Sequence, residues 1–302
     1  MGKKIYRKGR WLRITFRIFI GFLLLLIIAC FAFDQLVQFR MSDEELQQVF
    51  KENNVKGKIG YYESHGRKIR FVSVNDDSLP ALIFLHGSPS SLSIYKHHFL
   101  DSTFKKMFHV IAVDRPGYGY SGFGDPEPSI QKQSEMIRPL LDSIYQLKRP
   151  VILVGSSYGS SIASRLVMDH PHLVEGLVLI APSLAPGEEK MYWITPYIQS
   201  PVLYWMLPRM FKSANTEKLA HKSELEKMLP YWKNIRVPVM YMQGEKDELV
   251  YTTNAAFAKK HLVNAKSLDV TFFKGRPHFV PFAEKVAIRN KILEMYRQLQ
   301  VK

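Results

Sequence analysis

"VILVGSSYGSS", residues 151–161, runs a β-branched and leucine-rich stretch straight into six small residues, with Gly155 and Gly159 placed two positions either side of Ser157. The run VILVG reads as a short strand buried on both faces. The stretch behind the cluster, SSIASRLVMDH, has a helical pattern stopped by Pro171. Strand, tight turn, helix is the setting in which a serine is lifted out of the chain, and the two glycines let the backbone turn there without Cβ clashes. Ser156 and Ser160 lack the bracketing glycines and read as spacers. The G-x-S-x-G pattern alone is weak; the strand before it and the helix after it carry the inference.

The rest of the chain repeats the strand rhythm. KIGYYES (58–64) and KIRFVSV (68–74) read as an opening antiparallel hairpin. ALIFLHG (81–87), HVIAVD (109–114), GLVLIA (176–181), VPVMYMQG (237–244) and SLDVTFFKG (267–275) follow as apolar strands separated by helical stretches. Continuous apolar runs bounded by Gly or Asp suit strands covered on both faces. The expectation is an α/β fold, an eight-stranded, mostly parallel, doubly wound sheet whose site lies off the carboxyl ends of its strands. The 302 residues suffice for one such domain and an appendage.

A serine hydroxyl is a weak nucleophile that needs a base, itself oriented by an acid; in this strand–turn–helix setting the partners follow as Asp or Glu and then His. VPVMYMQGEKDELV puts Asp247 in a loop after one strand, and VTFFKGRPHFVPF puts His278 after the next. Of the ten histidines, His170 and His172 flank Pro171, His97 and His98 are helical neighbours, and His221 and His261 sit among lysines. Asp247 is read as the acid, Glu245 and Glu248 being its rivals and a loop or cap carboxylate the plainer alternative. The oxyanion donors are expected to be the backbone amides of Tyr158 and of Ser88, the latter in HGSPSS (86–91), where Gly87 allows the turn and His86 is structural.

Together, HGSP, DRPGYGYS (114–121), GSSYG, Asp247 and His278 resemble the α/β-hydrolase fold superfamily, in its capped serine hydrolase branch, over roughly residues 57–300. The resemblance implies Ser157 as nucleophile, His278 as base and then acid, and Asp247 as its orienter. It implies structural roles for Asp114 and Arg115 and a place for Tyr118 at the pocket border. Serine at 157 argues against the epoxide-hydrolase and haloalkane-dehalogenase branches, which need an aspartyl ester, and HGSPSS departs from the HGGPG of proline iminopeptidases. The implied activity is cleavage of a small-molecule or lipid-like carboxylic ester through an acyl-enzyme, with no metal and no organic cofactor. Amide, thioester or carbon–carbon bond hydrolysis with the same triad, and a non-catalytic ligand-binding protein, are the alternatives.

Residues 182–236 interrupt the strand rhythm with MYWITPYIQSPVLYWMLPRMF (191–211) and a charged helical stretch, the position of a helical cap in this superfamily. Of Tyr192, Trp193, Tyr197, Tyr204, Trp205, Met206, Met210 and Phe211, most are expected to pack cap against core. The rest line an apolar pocket or dip into a bilayer.

The formal charge of +15 divides unevenly, since Lys3, Lys4, Arg7, Lys8, Arg10, Arg13 and Arg17 supply about half of it. The remainder has no nucleic-acid motif behind it, so a membrane surface, not nucleic acid, is the expected partner. A helix from Ile14 to Phe33 would span about 30 Å, enough for a bilayer core. The preceding cations place it as an anchor with residues 1–13 cytoplasmic and the catalytic domain on the other side. A cleaved signal and a lipoprotein attached at Cys30, the sole cysteine, are the competitors. MSDEELQQVFKENN (41–54), within a 34–56 linker, reads as a stalk helix capped by Ser42 and Glu45. The sequence carries no signal for an oligomeric state.

Overall fold

The computed structural model describes residues 2–300. Its centre is an eight-stranded sheet in the order β1-β2-β4-β3-β5-β6-β7-β8. The strands are β1 (Gly57–Ser64), β2 (Arg67–Val74), β3 (Ala81–Leu85), β4 (His109–Val113), β5 (Val151–Ser156), β6 (Gly176–Ile180), β7 (Val239–Gly244) and β8 (Leu268–Phe273). The first two pair antiparallel and β2 joins β4 antiparallel; every later pairing is parallel.

All residues of β3 to β7 are buried, which is why these strands read as unbroken apolar runs. Alternation along β3 sends Ala81, Ile83 and Leu85 into one core layer and Leu82 and Phe84 into the other, as a two-residue side-chain period requires. Parallel neighbours need crossovers, and helices provide them: α3 (Ile130–Tyr145) between β4 and β5, and α4 (Tyr158–Asp169) between β5 and β6. From β3 the chain goes to β4 on one side and then to β5 on the other. The crevice between the ends of β3 and β5 is therefore the topological switch point.

The first helix, α1 (Gly2–Leu36), is longer than the sequence suggests. Arg10–Leu36 within it is long and apolar enough to cross a membrane and is not buried against the protein. The side chains of the basic head before residue 10 lie outside the described residues. The stalk helix α2 (Asp43–Glu52) carries the capping box, Ser42 accepting from the Glu45 amide and Glu45 from the Ser42 amide. It is not a free linker, because Leu46 and Phe50 are buried in the second core layer.

Between β6 and β7 the insertion is helical, with Pro201–Met206, α5 (Arg209–Met228) and a turn at Leu229–Asn234. Its aromatic residues depart from the packing expectation. Met210 is buried and Tyr204, Met206 and Phe211 are half-buried, whereas Tyr192, Trp193, Tyr197 and Trp205 are exposed. Pro196 and Pro201 break the stretch into helices of three and six residues, too short to present a continuous apolar stripe to the sheet.

Candidate active site

Ser157 sits between the end of β5 and the start of α4 at φ 52°, ψ −122°, a conformation that costs a non-glycine residue of the order of 1–3 kcal/mol. The neighbours explain the flanking glycines. A Cβ at Gly155 would lie 2.6 Å from the Gly159 carbonyl oxygen and from the Ser160 Cα. One at Gly159 would lie 2.3 Å from the Leu85 oxygen and 2.5 Å from the His86 oxygen. The turn is thus wedged against the loop that follows β3, and the Ser157 amide is tied to the Ile180 oxygen at 2.9 Å.

The loops after β7 and β8 bring the other two expected residues to it. The His278 Nε2 lies 3.1 Å from the Ser157 Oγ, and Nδ1 lies 2.8 and 3.0 Å from the two Asp247 carboxylate oxygens. With Nδ1 donating to the carboxylate, Nε2 is the acceptor facing the serine hydroxyl. Asp247 is buried and held by the amides of Leu249 (3.0 Å) and Val250 (2.9 Å) and by the Gln243 side chain (3.2 Å). The rivals are elsewhere: Glu245 accepts from the Gly275 amide, and both Glu245 and Glu248 are exposed.

The loop carrying Ser88 is fastened from below by Arg115. Its Nε donates to the His86 oxygen at 2.8 Å, one terminal nitrogen to the Gly87 oxygen at 3.1 Å, and the other to Glu217 of α5 at 2.6 Å. His86 Nε2 accepts from the Arg115 amide and Nδ1 donates to its neighbour's carbonyl. Burial and the adjacent guanidinium keep the ring neutral. Ser88 Oγ meets the Tyr118 hydroxyl at 2.7 Å, and that hydroxyl donates to Glu217 at 2.6 Å. Tyr118 is accordingly fully buried beneath the loop, not a pocket-border residue; burial, and then Glu217, push its phenol well above the ordinary range. Asp114 accepts the amides of Leu92 and Tyr120, a structural clamp as expected. Tyr158 opens α4, so its N–H has no acceptor within the helix.

Sequence reasoning passed over Glu217. Its partner Arg115 is 102 positions away, and one glutamate in a charged helix has no local signature. It also passed over a second array, in which Ser161 Oγ lies 3.2 Å from His221 Nε2 and His221 Nδ1 lies 3.0 Å from Glu189.

The sequence model of the alpha/beta hydrolase family matches residues 82–287. Mouse epoxide hydrolase 3 is 30% identical over 118 residues, covering 39% of this chain and 31% of that protein. An Arabidopsis thaliana 1-acylglycerol-3-phosphate O-acyltransferase is 24% identical over 151 residues, 46% of this chain and 35% of that protein. The chain thus spans about a third of the length of the curated relatives it matches. Among solved structures, a membrane phospholipase A described as a bacterial virulence factor superimposes with a TM-score of 0.65 at 16% identity, over 95% of this chain and 99% of that one. The carboxylesterase CesB of Bacillus subtilis does so with a TM-score of 0.60 at 20% identity, over 83% and 95%. These two likenesses concern the fold. With the family's sequence model covering 82–287 of 302 residues, over a switch-point crevice closed by a strained serine turn, the chain belongs to the alpha/beta hydrolase family.

Proposed function

We propose that the chain is a membrane-anchored serine hydrolase acting on carboxylic esters. The observation that carries the reading is the unbroken hydrogen-bond chain from Ser157 through His278 to Asp247 at the strained turn. In this reading Ser157 Oγ attacks the ester carbonyl while His278 Nε2 takes its proton. The amides of Tyr158 and Ser88 hold the oxyanion, and His278 returns the proton to the departing alcohol. Water, activated by the same imidazole, then releases the acid. Asp247 holds the ring tautomer and stabilises the imidazolium.

An ester substrate is supported by the phospholipase and carboxylesterase among the structural neighbours. The epoxide hydrolase relative does not displace it, because this chain has a serine at the nucleophile turn. Residues 1–13 form the cytoplasmic head, 14–33 the anchor, 34–56 the stalk and 57–302 the hydrolase domain, with the cap at about 182–236. The domain lies on the non-cytoplasmic face, as the positive charge before the span directs. Treatment of the full chain with a fluorophosphonate probe is the test: labelling is expected, is lost in Ser157→Ala and is kept in Ser161→Ala. A well-folded native chain that stays unlabelled would move the protein to the ligand-binding class. A Cys30→Ser chain that leaves the membrane would replace the span by a lipid anchor.

A further inference from the structure

Apart from α1, the first part of the cap, Met191–Trp205, carries seven exposed large apolar side chains within fifteen residues. Met191, Tyr192, Trp193, Tyr197, Val202 and Trp205 all stand open to solvent, Trp193 at 79% and Val202 at 71%. Exposed apolar side chains grouped in one segment of a domain surface mark a candidate contact with a partner or a membrane.

The occupant follows from where the face is attached. Asp34, in the last turn of α1, takes the Arg209 amide on one oxygen at 2.7 Å. It takes the Arg209 side-chain nitrogens on the other, at 2.9 and 2.7 Å. Arg209 is the first residue of α5, and Trp205 lies four residues upstream, within a chain reach of about 14 Å. The junction is braced. The Arg40 guanidinium donates to the Gly119 oxygen at 2.7 Å and stacks on Tyr120 and Phe123, the ring that Arg209 also covers. The start of α5 is therefore fixed to the end of α1.

The composition suits a headgroup layer. Trp and Tyr rings prefer the zone between hydrocarbon and water. Lys190 and Lys212 place their ammonium groups over Tyr192 and Tyr204, at 5.4 and 5.3 Å, cations at the edge of the aromatic face that favour anionic headgroups. A second exposed aromatic pair, Phe279 and Phe282, adjoins His278 itself.

We propose that the Met191–Trp205 face of the cap docks into the headgroup layer of the leaflet in which α1 ends, and that the ester substrates are acyl lipids drawn from that leaflet. The docking rests on α1 as an anchor, and the substrate class rests on Ser157 as the nucleophile. The test uses the full chain in phosphatidylcholine–phosphatidylglycerol vesicles, plain or carrying acyl chains brominated near the headgroup. Trp11 lies in α1, in the head that borders the anchor, and Trp232 is buried, so a Trp11→Phe chain reports mainly on Trp193 and Trp205. Its fluorescence is expected to be quenched by the brominated lipid, and further Trp193→Phe and Trp205→Phe substitutions are expected to remove the quenching. Equal emission in plain and brominated vesicles overturns the docking. If a dimer that needs Trp193 and Trp205 then appears by native mass spectrometry, the face belongs to a second copy.

For the substrate class, Trp193→Ser with Trp205→Ser is expected to lower hydrolysis of a vesicle-borne long-chain ester about tenfold or more, as loss of two interfacial anchors implies. Hydrolysis of p-nitrophenyl acetate in water should be retained. Equal retention of both activities overturns the leaflet origin. A native chain that is quenched but hydrolyses neither ester overturns the serine hydrolase reading and the substrate class with it, leaving the docking in place.

Discussion

Two Ser–His–carboxylate arrays start four residues apart in this protein, Ser157–His278–Asp247 and Ser161–His221–Glu189, with comparable hydrogen-bond distances. Their surroundings separate them. In the first, the Oγ proton faces the acceptor Nε2 of His278, the imidazole is partly open, and the serine stands on a strained turn. In the second, Ser161 is fully buried within α4 and donates its proton to the Ser183 oxygen at 2.5 Å. His221, on the cap helix, is 1% exposed and lies against the Tyr158 ring at 4.5 Å, and Glu189 is also paired with Lys218 at 3.0 Å. The same three groups, a hydroxyl, an imidazole and a carboxylate, make a candidate nucleophile where a reactant can reach the hydroxyl. Where none can, they make a lock between cap and core. Residue type and distance do not define a triad; access and the destination of the hydroxyl proton do.

Substitution should separate the two most sharply at the serines. Ser157→Ala is expected to lower ester turnover by up to ~10⁶ with an unchanged melting temperature, on the subtilisin precedent. Ser161→Ala should leave turnover within a few-fold and destabilise the fold by about 1–3 kcal/mol, since the buried partners lose their hydrogen bonds. Steady-state kinetics and thermal melts on both variants decide it; a turnover collapse in Ser161→Ala would erase the distinction.

The carboxylates should differ next. Asp247→Asn is expected to lower turnover by up to ~10⁴ while keeping the fold, because in the proposed mechanism it sets the tautomer and charge of His278. Glu189→Gln should leave turnover near normal. Near-normal turnover in Asp247→Asn, together with collapse in Glu245→Gln or Glu248→Gln, would move the acid to that glutamate.

Glu217 lies between the two behaviours, because it joins the cap to the loop that holds Ser88. Glu217→Gln strips the buried Arg115 of its counterion, a change that costs about 3–5 kcal/mol in comparable pairs. Through misplacement of the loop that holds Ser88, a proposed oxyanion donor, it should also lower kcat by up to about 10²-fold. A melting-temperature loss with kcat unchanged would make the network purely structural.

The lock should also answer to acid. Burial opposes the Glu189 charge, yet His221 and Lys218 outweigh it and hold the carboxyl down to about 2, below its ordinary value near 4.5. A depressed carboxyl contributes its full stability above the unfolded value and loses it as pH falls towards the folded one. Amide exchange in α5 is therefore expected to quicken between about pH 4.5 and 2, and Glu189→Gln should flatten that dependence. An identical pH profile in the variant would place the acid sensitivity elsewhere. The smallest effects are expected at Glu245→Gln and Glu248→Gln, exposed side chains whose loss should change turnover by less than about twofold.

Much of the molecule is legible along the chain because its causes are local. The turn at Ser157 needs small neighbours within two residues, and buried strands need unbroken apolar runs. The stalk helix announces itself through Ser42 and Glu45 three residues apart. Ser157, Asp247 and His278 belong with these, since each follows a strand whose position the hydrophobic pattern marks. The cap is less legible: its aromatic stretch, cut by prolines, lacks a period that would assign a buried face, and which of its rings pack against the core and which stand exposed could not be told along the chain.

By itself, then, the sequence determined the succession of the strands along the chain, the tight turn at Ser157, the loops bearing Asp247 and His278, and an N-terminal helix apolar enough to span a bilayer. These follow from sterics and hydrophobicity acting over a few residues. Tertiary structure alone decided which charges meet: Glu217 with Arg115 across 102 positions, and Asp34 with Arg209 across 175. It also decided which of two neighbouring serines keeps a proton to give. An ion pair or a hydrogen bond depends on distances of about 3 Å that nothing in the local chain encodes, and these are set only when the sheet, the helical insertion and α1 come together.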